Sequence, residues 1–279
     1  MPTLIDTPHQ LAAQLRSLCL EVSAAILAIY NQPQHWETQQ KQDDSPVTLA
    51  DLTAHRMICA WLQHNTPDIP ILSEESNPET LVGHQHWHTL WLLDPLDGTR
   101  EFLQRNGQFT INLALIRRGQ PVFGFIHHPI SQTSYYGGAE IGSYRETPSQ
   151  APSRLNCRRI SAHTLTVMTS QRHGLDALSP LLDQLRNQGF TLEQQMRGSA
   201  LKFFALVEGQ ADLYPRLSPT GEWDTAAGQA LLEGAGGQLL NLQGEPLRYN
   251  QKTDWINPSF IAIADPTQPW FDWIETPPL

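Results

Sequence analysis

Leu90-Trp91-Leu92-Leu93-Asp94-Pro95-Leu96-Asp97-Gly98-Thr99 sets an unbroken apolar run against two carboxylates three residues apart. Such a run is what a strand covered on both faces shows, and Pro95 and Gly98 predict that it stops abruptly. The acids then sit on a turn at the strand's end. Two like charges about 4 Å apart repel by roughly 4 kcal/mol at an effective dielectric near 20, so a fold that concentrates carboxylates there needs a cation to offset them. Oxygen-only ligands select a hard ion such as Mg²⁺.

Working outward, a strand near residues 69–73 ends at Glu74-Glu75, so two strands present acids at one edge. Leu11, Leu15, Leu18, Val22, Ile26 and Ile29 recur at helical steps and predict an amphipathic helix. After a polar loop through Ser45, a second helix runs from about Thr48 to Gln63, burying Ile58, Trp61 and Leu62. The runs 109–116 and 121–127 read as a hairpin about Arg117-Arg118-Gly119-Gln120. Between Ser143 and Arg159 apolar residues thin out, which marks a boundary between halves. The expectation is an N-terminal half over 1–150 with most of the acids and a C-terminal half over 151–279. In the second half strands (165–170, 190–194, 211–216, 238–240) alternate with helices (176–187, 200–208, 225–233), an α/β pattern.

The totals bound the function. At 279 residues and 40% hydrophobic content the chain can build one large domain or two intimate halves. Its 18 basic and 28 acidic residues give a formal charge of −10, which argues against a nucleic-acid polymer or an anionic membrane as partner. A small anionic ligand stays open if local cations hold it. Cys19, Cys59 and Cys157 show no metal or disulfide spacing, which suits a reducing compartment such as the cytoplasm. The apolar stretch 11–30 is broken by Gln14, Arg16, Ser17, Glu21 and Ser23, so no transmembrane segment is predicted.

Several motifs carry a plain reading beside a chemical one. Glu74-Glu75 alone is a solvated loop. Asp224, before an apolar helix, reads as an N-cap. Thr48-Leu49-Ala50-Asp51 resembles a capping box with Asp for Glu. His84-Gln85-His86-Trp87-His88 invites zinc, but without a third ligand an exposed strand entry is simpler. Gly234-Ala235-Gly236-Gly237 follows a helix and is a C-cap. Only Lys41, Lys202 and Lys252 among the basic residues are lysine. Lys202 is either a surface residue or a phosphate ligand just inside the helix that Gly198-Ser199-Ala200 opens.

Taken together, Ser73-Glu74-Glu75-Ser76, Asp94-Pro95-Leu96-Asp97-Gly98-Thr99 and Trp223-Asp224-Thr225-Ala226-Ala227 resemble the signature blocks of the inositol monophosphatase superfamily of Mg²⁺-dependent, lithium-sensitive phosphatases. Lys41-Gln42-Asp43-Asp44-Ser45-Pro46-Val47-Thr48, Asn106-Gly107-Gln108-Phe109-Thr110, Gly198-Ser199-Ala200-Leu201-Lys202-Phe203 and Leu213-Tyr214-Pro215-Arg216 resemble the CysQ-type 3′(2′),5′-bisphosphate nucleotidases within it. The likeness runs through nearly the whole chain. It departs at Arg100, where the pattern has Lys, and at Ala200, where it has a second Ser.

The resemblance implies a layered αβαβα sandwich, an α/β fold that some schemes class as α+β, with the metal site between the halves. By position it makes Glu74, Asp94, Asp97, Asp224 and the Leu96 carbonyl ligands of two or three Mg²⁺ ions. Asp51 and Thr99, with Glu74, stand beside the water that attacks phosphorus. Gly98, Thr99, Ser199, Lys202 and Arg216 bind substrate. The expected reaction is removal of the 3′-phosphate of adenosine 3′,5′-bisphosphate by metal-activated water, without a phosphoenzyme. The partner is thus a small phosphorylated nucleotide, and the chain a monomer or homodimer. Alternatives are an inositol monophosphatase or fructose-1,6-bisphosphatase activity, or a nucleotide-sensing protein that lost turnover.

Overall fold

The computed structural model describes residues 7–32, 38–40, 46–160, 163–170 and 175–274. Lys41 to Ser45, one of the segments that carries the resemblance, lies outside them. The first half comprises α1 (Pro8–Tyr30), β1 (Thr38–Gln40), β2 (Pro46–Thr48), α2 (Leu49–Asn65), β3 (Ile71–Ser73), β4 (Thr89–Asp97), α3 (Thr99–Leu103), β5 (Thr110–Arg117), β6 (Gln120–His128), β7 (Thr133–Gly138), β8 (Gly142–Thr147) and β9 (Gln150–Leu155). Then follow β10 (Thr164–Thr169), α4 (Leu175–Asn187), β11 (Thr191–Met196), α5 (Leu201–Val207), β12 (Leu213–Arg216), α6 (Glu222–Gly234), β13 (Gln238–Asn241), β14 (Phe260–Ile263) and α7 (Trp270–Trp273).

Strands β3 to β9 form one seven-stranded sheet in chain order, and β11-β10-β12-β14-β13 form a five-stranded one. Three apolar cores join five layers in the αβαβα arrangement, the middle core packing both sheets onto the inner helices. Period-two alternation in β4 shows why both faces of the first sheet are covered. Trp91 and Leu93 join the core under α1 and α2. Leu90 and Leu92 face the middle core, built with Phe203, Leu206 and Leu231 of α5 and α6 and with Tyr214 and Phe260 of the second sheet. Leu165, Val167, Ile261 and Ile263 turn the other way, onto Leu182 of α4 and Trp270 of α7.

By length and composition α1 could cross a membrane, but it buries Leu11, Leu15, Leu18, Val22 and Ile26 in the core, the stripe its periodicity predicts. In the β5–β6 hairpin Arg118 and Gly119 both have positive φ, 50° and 76°, the backbone a two-residue turn between right-twisted strands requires.

Four expectations need correcting. Pro95 does not end its strand: β4 continues to Asp97 through an irregularity in its pairing with β5. The apolar-poor stretch after Ser143 is the β8–β9 hairpin, and most of β9 is exposed because it is the sheet's edge. Residues 150–155 therefore belong to the first sheet, and the chain leaves it only beyond Leu155. His84–His86 forms a 3₁₀ turn, not a strand entry, and His84 is buried against Asn250. Asp224 is not an N-cap, because α6 starts at Glu222 after the cap residue Gly221.

The middle layer packs closely where β6 meets α6. A Cβ on Gly124 would lie 2.4 Å from the Ala227 carbonyl oxygen and 2.9 Å from the Ala230 Cβ. Backbone must then shift, and overpacking of this kind costs about 1–3 kcal/mol. Gly124→Ala is expected to lower the free energy of unfolding by that increment and the thermal midpoint with it. An unchanged midpoint would contradict the close approach.

Candidate active site

The irregularity in β4 puts two acids on one face. Asp94 pairs with Asn112 and Asp97 with Thr110, so a step of three on β4 (94 to 97) matches a step of two on β5 (112 to 110). In a regular strand side chains three apart face opposite sides. The extra residue restores parity, and Asp94 and Asp97 share a face with Asn112 and Thr110. Pro95 has no N–H to lose from the ladder, which is why it is tolerated at a bulge.

Asp224 arrives from the other half, on the first turn of α6. Ligand oxygens of Asp94, Asp97 and Asp224 all lie within 4.8 Å of one another. Asp94 is 1% exposed. Burial, then the charges of Glu74, Asp97 and Asp224, push its carboxyl well above the usual range. Burial, then Asp97 and Glu74, do the same to Asp224. Glu74 thus acts on the group from just outside the tight three, held by its N–H on the Leu93 carbonyl at 3.0 Å. Carboxylate oxygens alone form the group, which suits a hard divalent cation better than a soft metal.

Asp51 does both things the sequence left open. Its Oδ2 accepts the Thr48 N–H at 2.8 Å and the Thr48 hydroxyl at 2.5 Å, completing a capping box on α2. Its Oδ1 accepts the Thr99 hydroxyl at 3.0 Å. That hydroxyl also lies 3.4 Å from the Leu96 carbonyl oxygen. Burial raises the Asp51 carboxyl, and its hydrogen bonds from Thr48 and Thr99 oppose the rise. Asp224 repeats the device, accepting the Gly221 N–H on Oδ2 at 2.8 Å.

Four of the residues expected on the substrate side lie on loops and elements of both halves. Gly98 caps α3 with φ +93°, where a Cβ would stand 2.9 Å from the Gln108 carbonyl oxygen and 3.3 Å from the Ser199 Cβ. Ser199 itself has φ +49° and donates its hydroxyl to Asp97 Oδ2 at 2.7 Å. Lys202 is 5% exposed, which removes the surface reading. Its ammonium donates to the Ser199 carbonyl at 2.6 Å and the Arg197 carbonyl at 3.3 Å, over the ring of Tyr214. Burial pushes this lysine down to about 8, with Asp97 pulling the other way. Arg216, ending β12, donates to the Ser170 hydroxyl at 2.5 Å.

Sequence reasoning missed Thr110 and Asn112. Asn112 donates to Asp97 Oδ2 at 3.1 Å and accepts the Thr110 hydroxyl at 2.8 Å. The signal was present: two polar residues two apart in an otherwise apolar strand share a face. The thiols stay out of the chemistry, since burial raises Cys59 to about 11 and Cys157 to about 12.

The chain is similar to known proteins over most of its length. The inositol monophosphatase family pattern matches residues 7–267. A Salmonella typhimurium protein named 3′(2′),5′-bisphosphate nucleotidase CysQ is 42% identical over 247 residues, 88% of this chain and 97% of its own. A Haemophilus influenzae protein of the same name is 34% identical over 274 residues, 97% of each. The crystal structure of CysQ from Bacteroides thetaiotaomicron superposes with a TM-score of 0.73 at 35% identity, covering 88% of this chain and 93% of that one.

Because Asp94 and Asp224 are raised by folding, the native chain binds more protons than the unfolded chain above the ordinary carboxylate range. Without a divalent ion these groups therefore remove stability as pH rises. An ion takes only ionised carboxylates and reverses that loss. His127, pushed down to about 3 by burial and the charges of Arg16 and His128, acts oppositely but equally with or without ion. The gain in unfolding midpoint on adding Mg²⁺, against a chelator, is expected to grow from about pH 5 to about pH 8. A gain flat with pH would detach these acids from ion binding.

Proposed function

The chain belongs to the inositol monophosphatase family, and from that premise we propose that it is a Mg²⁺-dependent phosphomonoesterase acting on adenosine 3′,5′-bisphosphate. It releases inorganic phosphate from the 3′ position and leaves the 5′-monophosphate. The observation that carries the reading is the meeting of Asp94 and Asp97 from one half with Asp224 from the other, next to the Asp51–Thr99 pair. The choice of a nucleotide rests on relatives 34–42% identical whose names state that activity. Lys202 and Arg216, beside the site, supply cationic surroundings for a second phosphate.

In this reading Glu74, Asp94, Asp97, Asp224 and the Leu96 carbonyl hold two or three ions. Bound there, divalent ions acidify a water and neutralise charge on the phosphoryl oxygens. The chain's own residues do the rest. Thr99 orients the attacking water, accepting its proton as the threonine hydroxyl passes its own to Asp51 Oδ1, the acceptor it already faces. Burial raises Asp51, which makes it a better base than an exposed aspartate. Backbone N–H groups of Gly98 and Thr99 and the Ser199 hydroxyl position the ester. The water oxygen bonds to phosphorus as the P–O3′ bond breaks, and the ribose oxygen takes a proton from solvent. The three free thiols fit a cytoplasmic setting.

Phosphate release should be measured from adenosine 3′,5′-bisphosphate beside inositol 1-phosphate and fructose 1,6-bisphosphate, with Mg²⁺ and with or without Li⁺. Nucleotide preference with lithium inhibition is the expected outcome. Preference for a sugar or inositol phosphate would keep the metal site and overturn the substrate, and nucleotide binding without release would make the chain a sensor. Asp51→Asn should lower kcat by roughly 10² to 10⁴ while ion binding persists. Near-wild-type turnover would reduce Asp51 to its cap on α2.

A further inference from the structure

The contacts around Asp97 point past the ligand set to what holds it. Asp97 Oδ2 accepts from two side chains, Asn112 Nδ2 on the neighbouring strand at 3.1 Å and the Ser199 hydroxyl from the other half at 2.7 Å. Thr110 joins the two: its hydroxyl oxygen lies 2.7 Å from the Ser199 hydroxyl and 2.8 Å from Asn112 Oδ1. Asn112 and Thr110 are buried, at 1% and 0% exposed. Three side chains and Asp97 itself therefore make a circuit of polar contacts through one carboxylate oxygen. The bulge in β4 creates it, because only with parity restored do Asp97, Thr110 and Asn112 share a face.

Hydrogen counting adds a constraint. The path Asp97–Ser199–Thr110–Asn112 has three O···O links, and Ser199 and Thr110 bring one hydroxyl hydrogen each. Ser199 can donate to Asp97 or to Thr110, not to both. The carboxylate only accepts, so the Ser199 hydroxyl goes to it and Thr110 gives its hydrogen to Asn112 Oδ1. Ser199 sits in the left-handed region, a strained conformation for a residue with a Cβ, and it is kept there by neighbours. Lys202 holds its carbonyl at 2.6 Å, and the Gln108 side chain accepts the Gly198 N–H at 2.6 Å.

We propose that Asn112 and Thr110 are positioning residues for the metal site: with Ser199 they fix Asp97 through Oδ2, so that its remaining oxygen is aimed at the ion and the loop 197–200 of the C-terminal half is tied to ion affinity. The inference rests on the site reading above and extends it to residues that touch neither ion nor substrate. Groups that orient a ligand in this way change metal affinity by about 10- to 100-fold when removed.

The test is ion binding without turnover. Mn²⁺, which shares Mg²⁺'s preference for oxygen, is titrated against the full chain, with free ion read by electron paramagnetic resonance. Asn112→Leu, close in volume and without polar atoms, is expected to weaken binding about 10- to 100-fold. Ser199→Ala should weaken it as well, and Asn112→Leu with Ser199→Ala by clearly less than the product of the two, since both act on one oxygen. Thr110→Val, which keeps shape and the β ladder, should give a smaller loss of the same sign. Wild-type affinity in Asn112→Leu, or losses that multiply, would overturn the inference. If Asn112→Leu does not fold, Thr110→Val decides, and unchanged affinity there overturns it. A wild-type chain that takes up no Mn²⁺ would instead sink the metal-site reading, and the inference with it.

Discussion

Repulsion among Asp94, Asp97 and Asp224, with Glu74 adding to it, is the constraint around which this chain is arranged. Oxygens of three carboxylates within 4.8 Å of one another, one of them almost wholly buried, are unfavourable in any metal-free fold. Natural folds keep such a feature only where something offsets it. Here part of the offset is built in: each carboxylate takes donors on one oxygen or from one side. Asp94 Oδ1 accepts the Leu96 N–H, Asp97 Oδ2 the Ser199 and Asn112 donors, and Asp224 Oδ2 the Gly221 N–H. Fixed donors of this kind orient the acids without cancelling their charge, which leaves a divalent ion as the rest of the offset.

The same economy extends to two helix starts, where the capping-box reading of Asp51 was incomplete and Asp224 serves from the third helical position instead of the N-cap. Asp51 and Asp224 each stand on the first turn of a helix and hold a backbone N–H there, a contact worth about 1 kcal/mol to the helix. A carboxylate has two oxygens. Using one on a helix end locks the side chain's rotamer, and the other is then presented from a rigid element with little conformational entropy left to lose. Rigid placement matters most where three chain segments far apart in sequence must bring oxygens to one point.

What could be read from the residues divides along physical lines. Signals carried by adjacent residues were legible: the stripe of α1, the two-sided strand at Trp91, the turn at Arg118-Gly119, and the acids of the three blocks. Signals that depend on a partner's register were not. That Asp94 and Asp97 share a face follows from a bulge against β5, and residue spacing alone places them on opposite sides. β9 was unreadable for a related reason, since an edge strand with exposed side chains carries no apolar alternation. His84 looked exposed because its partner, Asn250, is 166 residues away and bonds it twice, through Oδ1 and through Nδ2 to its carbonyl.

Scarcity of lysine turns out to have a geometric content. Lys202 is buried in a position where three donors on one compact atom are needed, to reach two carbonyls of the tight turn before α5 while lying over Tyr214. A planar guanidinium presents its donors in a fork suited to a carboxylate or phosphate, a different geometry from one compact ammonium. Burial lowers the affinity of this ammonium for its proton, and Asp97 partly restores it. Asp97 thus favours the charge of the lysine that holds its own partner, Ser199, in place. Asp97, strained serine and buried lysine therefore form one interdependent group, and a change to any of them is felt by the others across the boundary between the two sheets.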